Sequence, residues 1–303
     1  MSWVTVACLV VTALIVALYL FRQPPAFPLP EQPISPGAAP HALIRSLDLR
    51  ASFEMHRDLL HRSPPAVLLL GDCIVSHWHH QGRDAWRRHF GRRKMLPIGG
   101  VGDRTQHLLG SLQAGLLEGL EDSVHLVFLN IGINNFGADG LMEEEPAFVA
   151  AGVAACVKEL RKRLPRAIIV ILHVFPTRLG RVKQELVNAI NSRITLPFFQ
   201  ITNKLLPPEV HVRSINSNLL RGLSLEDLVP KDQDFHLSSA AYDRYAQALL
   251  DIISELAPPN AREDLDEASY RVWAHDSISN ATNLQEEHLK RLGYQEGLVH
   301  LDL

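Results

Sequence analysis

The stretch that decides the fold is Val67-Leu-Leu-Leu-Gly-Asp-Cys-Ile-Val-Ser76. Its first part, Val67 to Leu70, is a short continuous apolar run, which is typical of a fully buried strand in a parallel sheet. Gly71 and Asp72 then predict a sharp turn into a helix, with Cys73 at its amino end. Because open α/β sheets bind ligands at the carboxyl ends of their strands, this turn is a candidate functional site.

The alternation of strands and helices continues along the chain. Strand candidates alternate with stretches that are predicted to be helical. This order predicts parallel βαβ units and a sheet covered by helices on both faces. The predicted strands are Ala66–Gly71, Met95–Ile98, Val124–Asn130, Ala167–Val174 and Val210–Ile215. The predicted helices are Ile74–Phe90, Asp103–Leu117, Glu145–Leu164, Gly180–Ile194 and Ser238–Leu256.

Two of these helices carry starting signals. Asp103 followed by Gln106 predicts a capping box, and Ser238 or Ser239 can cap the last helix. A further helical stretch, Leu43–Leu60, precedes the first strand and is expected to pack on the domain.

The composition bounds the class of protein. A chain of 303 residues can hold one domain of roughly 200 residues with appendages. The formal charge of −3 gives no basic excess for nucleic acid, and the three cysteines are too few for a disulfide framework. No CxxC zinc pattern occurs in the sequence. We therefore expect an α/β domain with no metal, no organic cofactor and no nucleic-acid partner.

The amino-terminal segment predicts attachment to a membrane. Trp3–Phe21 is an uncharged run of nineteen residues, about enough to cross the hydrocarbon layer as a helix. A cleaved signal peptide is the alternative, but it would have a basic first region and a small-residue cleavage site. Arg22 weakly favours a cytoplasmic main domain without settling the side. The predicted units are an anchor (residues 1–22), a proline-rich linker (23–42), the α/β domain (43–257) and a polar carboxyl-terminal extension (258–303).

Four sequence blocks resemble those of the SGNH (GDSL) hydrolases and occur in the order of that family. They are Gly71-Asp-Cys73, Gly99-Gly-Val-Gly-Asp-Arg-Thr-Gln-His107, Asn130-Ile-Gly-Ile-Asn-Asn135 and Asp234-Phe-His-Leu-Ser238. The chain looks most similar to the catalytic subunits of platelet-activating-factor acetylhydrolase Ib, over about two thirds of its length. The resemblance implies a flavodoxin-like three-layer α/β/α sandwich with a mostly parallel five-stranded sheet.

The resemblance also implies a set of site residues. Cys73 occupies the position of the nucleophilic serine, and His236 occupies the position of the base. The backbone N–H groups of Cys73 and Gly102 and the side chain of Asn134 match the three donors of the oxyanion hole. The activity implied is hydrolysis of small acyl esters of the acetyl type, with a small-molecule ester as substrate.

Two catalytic positions depart from the family pattern. The nucleophile is a thiol, and we expect the helix amino terminus and a nearby histidine to hold it largely as a thiolate. The position of the acid partner holds Gln233, so that either Asp232 or Asp234 orients His236, or Gln233 itself holds the ring by a neutral hydrogen bond. These departures keep two alternatives open, a catalytically impaired member that acts as a membrane-tethered binding or scaffolding module, and an acyltransferase.

Other residues near these blocks receive structural interpretations. Asp72 is expected to accept backbone N–H bonds and to fix the turn, and Asn135 to brace its loop. His77, His79 and His80 are interpreted as a solvated helix face, because their spacing does not converge on one metal ion. Homodimer formation is left open.

Overall fold

A computed structural model describes residues 53–136, 144–176, 184–195, 210–215, 224, 227 and 236–257. In this part of the chain five parallel strands form one sheet in the order β2-β1-β3-β4-β5. The strands are β1 (Val67–Gly71), β2 (Met95–Gly99), β3 (Leu126–Asn130), β4 (Ile168–Leu172) and β5 (Val210–Arg213). All five predicted strands are confirmed. In β1 to β4 the apolar run identifies the strand, since a strand covered on both faces has no polar side to alternate with, whereas the edge strand β5 is only partly buried.

Helices lie on both faces of the sheet, as predicted. They are α1 (53–62), α2 (Cys73–Ser76), α3 (Arg83–His89), α4 (Thr105–Gln113), α5 (Pro146–Arg163), α6 (Gln184–Ile194) and α7 (Ser239–Leu256). The connection from β1 leads to one side of the sheet and the later connections lead to the other. Right-handed crossovers therefore place α3 and α7 on one face and α4 to α6 on the opposite face. The reversal opens a crevice between the carboxyl ends of β1 and β3.

The predicted helix Ile74–Phe90 is wrong as a single element. It is divided into α2, a 3₁₀ turn (His77–His79) and α3. The chain turns at Gly82, where an added Cβ would lie 2.7 Å from Trp78 and 2.8 Å from Tyr242. Close packing against α7 leaves no room for a side chain at position 82. The chain therefore turns at Gly82 and does not continue as one helix.

The start of α4 also differs from the prediction. Asp103 does not cap this helix, which begins at Thr105; instead the N–H of Arg104 donates to Nδ1 of His107 at 3.1 Å. At α7 the prediction is confirmed, because Oγ of Ser238 accepts from the N–H of Ala241 at 3.1 Å.

The anchor segment Trp3–Phe21, the linker and the extension 258–303 lie outside the described residues, so these units remain predictions. Within the described ranges no helix combines the length and apolarity needed to span a membrane.

Helix α7 is fastened to the turn after β1 by a buried hydrogen bond. The hydroxyl of Tyr242 donates to the backbone carbonyl of Ile74 at 2.6 Å. The Tyr242 ring also packs edge-on against Trp78, with ring centroids 4.6 Å apart. This contact holds the last helix against the segment that carries Cys73.

We expect Tyr242→Phe to lower the free energy of unfolding by about 1–3 kcal/mol, because the buried Ile74 carbonyl loses its donor. Urea denaturation of the full chain measures this change. Tyr245→Phe is the matched control, since its buried hydroxyl has no hydrogen-bond partner among the described residues. Its expected loss is near zero. Equal losses in the two variants would contradict the role given to the Tyr242 bond.

Candidate active site

The turn after β1 is built by close approach of β1 to β3. An added Cβ at Gly71 would lie 2.1 Å from the carbonyl oxygen of Asn130, so no larger residue fits there without movement. Asp72 caps α2 by accepting from the N–H of Ile74 at 3.1 Å. Its carboxyl also accepts from the N–H groups of Gly132 and Ile133. Asp72 thus ties two neighbouring loops together, as the structural interpretation predicts, and burial raises its pKa to about 7.

Cys73, Gly102 and Asn134 meet at this turn. Nδ2 of Asn134 lies 3.8 Å from Sγ of Cys73, and the N–H of Gly102 also donates to this sulfur. Gly102 has a φ of 76°, a left-handed conformation that a residue with a side chain adopts only under strain. Nδ2 of Asn134 also donates a hydrogen bond to the carbonyl oxygen of Asp103 at 2.9 Å, which fixes the orientation of the amide. Gly102 and Asn134, from two other blocks of the sequence, therefore both contact the sulfur of Cys73.

The expected ionisation of Cys73 is wrong. Cys73 is only 2% exposed. Burial, followed by the negative charge of Asp72, raises the pKa of the thiol well above its usual range, and the hydrogen bonds from Asn134 and Gly102 offset this only in part. Helix α2 has only four residues, so its dipole is small. The resting group is an uncharged thiol, which needs a base before it can attack.

His236 lies just before α7 and faces the segment that follows Cys73. Its ring packs on the ring of His77, with centroids 4.0 Å apart and an angle of 32° between the planes. His77 follows Cys73 by four residues, and its N–H donates to the Cys73 carbonyl. The stack therefore brings His236 to the nucleophile turn. Burial lowers the pKa of His236 to about 4, so its ring is uncharged at neutral pH and able to accept a proton.

The acid partner of His236 stays a prediction. Asp232, Gln233 and Asp234 lie outside the described residues, so the contact that orients the ring from that side is not defined.

The solvated face predicted for the three clustered histidines is wrong. His79 is buried, and its ring is hydrogen-bonded to the backbone of Pro97. His77 is partly buried, and burial, followed by the proximity of His236 and His80, lowers its pKa to about 2. The sequence contained one signal for His77, which is its position one helical turn after Cys73. In the described part of the structure no three His, Cys, Asp or Glu side chains are grouped to hold a metal ion.

A buried polar network holds the Asn134 loop against the start of α4. Oδ1 of Asn135 accepts from the N–H of Thr105 at 3.1 Å, and its Nδ2 donates to Gln106 at 3.0 Å and to Glu144 at 3.1 Å. Glu144 in turn pairs with Arg104 at 2.8 Å. The bracing role predicted for Asn135 agrees with these contacts. Glu144 was missed, because it lies outside every sequence block.

The fold is similar to those of known structures. A Streptococcus pneumoniae protein assigned as a platelet activating factor gives a TM-score of 0.51 at 21% identity, covering 71% of this chain and all of the other (100%). A Bacteroides fragilis protein assigned as an acylhydrolase gives a TM-score of 0.52 at 16% identity, covering 68% and 97%. At these identities the likeness concerns the fold alone.

Sequence comparison gives relatives named as platelet-activating factor acetylhydrolase subunits. The Drosophila melanogaster platelet-activating factor acetylhydrolase IB subunit beta homolog is 27% identical over 204 residues, 66% of this chain and 82% of that protein. The human subunit alpha2 is 35% identical over 112 residues, covering 37% of this chain and only 44% of the human protein. No family model matches the chain. These relatives confirm the resemblance to the SGNH hydrolases and support the predicted class of enzyme, an ester hydrolase.

Proposed function

We propose that this chain hydrolyses small acyl esters with Cys73 as its nucleophile and His236 as its base. The observation that carries the proposal is the meeting of Cys73, Gly102 and Asn134 at the crevice between β1 and β3. Relatives named acetylhydrolases support an acyl group of acetyl size. The alcohol portion of the substrate is left open.

The first step follows from the uncharged thiol. As Sγ of Cys73 forms its bond to the ester carbonyl carbon, the thiol proton passes to the neutral ring of His236. The carbonyl electrons move to oxygen. The N–H groups of Cys73 and Gly102 and the amide of Asn134 would then stabilise this oxyanion, which is the largest single contribution that such a site offers.

The second step releases the alcohol and then the acid. The tetrahedral intermediate collapses, the carbon–oxygen bond breaks, and His236 gives its proton to the departing alkoxide. A water molecule attacks the resulting thioester while His236 takes a proton from it. The carbon–sulfur bond then breaks, and the proton returns to Cys73 with release of the acid.

A panel of aryl esters and thioesters of increasing acyl length tests this function on the purified full chain. We expect the highest kcat/KM for acetyl and a loss on the order of 10²–10⁴-fold in His236→Ala, because the uncharged thiol needs its base. Equal rates in the variant and the parent protein would contradict the proposal. Product formation that depends on the concentration of an added alcohol would favour an acyltransferase instead.

The second candidate is a binding module that keeps the fold without turnover. The raised pKa of the Cys73 thiol and its 2% exposure favour this candidate. It predicts that short-chain esters bind without being consumed, and that His236→Ala leaves their Kd unchanged. The membrane attachment predicted for Trp3–Phe21 would suit either candidate and remains a proposal.

A further inference from the structure

His77 is the residue in this site that the mechanism above does not use. Its ring contacts two other imidazoles among the described residues. One contact is the stack on His236 at 4.0 Å, and the other is an edge-on contact with His80 at 5.8 Å. Its buried Nδ1 has no hydrogen-bond partner in the described part of the chain. The face of the ring, rather than that nitrogen, therefore makes the contact with the base.

A catalytic histidine needs a group that fixes its ring, because the productive geometry tolerates little rotation. In the resembling family a carboxylate fixes the ring of this histidine. The matching position in this chain is Gln233. The His77 ring, packed at 32° to the His236 plane, restricts rotation of His236 from the face that it contacts. Offset aromatic rings in contact attract each other beyond the apolar area that they bury.

We propose that His77 is a positioning residue whose uncharged ring is the platform that holds His236 at the nucleophile turn. This inference rests on the proposed function, because it assigns the base a support. His77 itself transfers no proton. Two stacked imidazolium rings would repel each other, so the platform has to stay neutral while His236 takes up its proton during each turnover.

His80 is the other ionisable group that acts on His77. Further ionisable groups on the segments that carry the pair or pack against them are Asp72 and Cys73 on the nucleophile turn and Tyr242 and Tyr245 on α7. Asp232 and Asp234 precede His236 in the sequence, outside the described residues. Asp72, Cys73 and the two tyrosines have raised pKa values and His80 is common to all variants, so a change confined to His77 tests the platform directly.

The test compares His77→Ala with His77→Phe, because phenylalanine keeps the flat ring and the burial but cannot carry a proton. In the parent protein kcat should fall as the pH is lowered, with an apparent pKa of about 4. In His77→Ala water reaches the exposed face of His236, so this pKa should move toward the usual value near 6.5. Its kcat at neutral pH should fall on the order of tenfold to a hundredfold, with a smaller change in KM.

His77→Phe should keep the low pKa and recover most of the kcat lost in His77→Ala. His125→Ala is the control, since His125 lies beside the amino end of β3, at the opposite end of the sheet. If His77→Phe loses as much kcat as His77→Ala, a ring nitrogen is needed and the proposed platform role of His77 is wrong. If His77→Ala leaves the pKa of His236 unchanged, the proposed platform role is also wrong.

Proton NMR titration of His236 separates this inference from the proposed function. The His236 resonance reports the same pKa values without any turnover, so it can be followed in all three variants even if no ester is hydrolysed. A shift in His77→Ala that phenylalanine reverses supports the platform whether or not the chain is an enzyme. An absence of that shift overturns it, even if the hydrolysis assays succeed.

Discussion

Cys73→Ala is expected to lower kcat/KM for acetyl esters by on the order of 10³-fold or more, since the acyl intermediate of the proposed mechanism forms on the Cys73 sulfur. Steady-state hydrolysis of an aryl acetate measures the loss. Cys156→Ala is the matched control. Cys156 is also a buried thiol, but it lies in α5 and donates to the carbonyl of Thr105 at 3.4 Å. A Cys73→Ala variant with parental activity would show that the sulfur is not the nucleophile.

Cys73→Ser sharpens this prediction. A site that depends on a preformed thiolate loses its reaction when a hydroxyl replaces the thiol. Here burial and Asp72 keep the thiol uncharged, so the base already has to assist the attack. We therefore expect Cys73→Ser to keep measurable hydrolysis, within roughly a hundredfold of the parent protein. Activity as low as in Cys73→Ala would contradict base-assisted attack and would indicate a thiolate.

Asn134→Ala is the second substitution with a large expected effect. Removing one oxyanion donor costs on the order of 10²–10³-fold in kcat, because the transition-state charge loses a fixed hydrogen bond. The donor is already oriented in the absence of substrate, since Nδ2 of Asn134 is held by the Asp103 carbonyl at 2.9 Å. The KM should change less than kcat, because the oxyanion forms only as the carbonyl is attacked.

Asn135→Ala is the matched control for Asn134→Ala. Asn135 is the next residue and is equally buried, but its amide contacts Thr105, Gln106 and Glu144 rather than Cys73. It should lower the free energy of unfolding by about 1–3 kcal/mol with a smaller loss of kcat. A loss of kcat in Asn135→Ala together with a loss of stability in Asn134→Ala would contradict the assignment of Asn134 as the oxyanion donor and Asn135 as the structural brace.

The strands could be predicted because their pattern is local. Val67–Gly71 is buried along its whole length, and the other central strands share this property, so an apolar run alone identifies them. The break in the helix after Cys73 could not be predicted in this way. It depends on the packing of Tyr242 against Gly82, two residues 160 positions apart in the chain.

Site residues could be predicted where they belong to the sequence blocks that resemble those of the SGNH hydrolases. Cys73, Gly102 and Asn134 were named from the sequence, and they meet in the structure. The ionisation of the thiol could not be derived from the sequence, because it is set by burial and by the distance to Asp72. Glu144 and His77 were missed because their partners, Asn135 and His236, are brought to them only by the fold.

Mapping of the acyl group is the most direct test of the central claim. The full chain is mixed with an acetyl thioester, quenched with acid within the first turnovers, and analysed by intact mass and peptide mapping. The account predicts one added acetyl group on Cys73, none on Cys156, and a strongly reduced yield in His236→Ala. An acetyl group found on any residue other than Cys73, or an unmodified protein that still releases product, would contradict it.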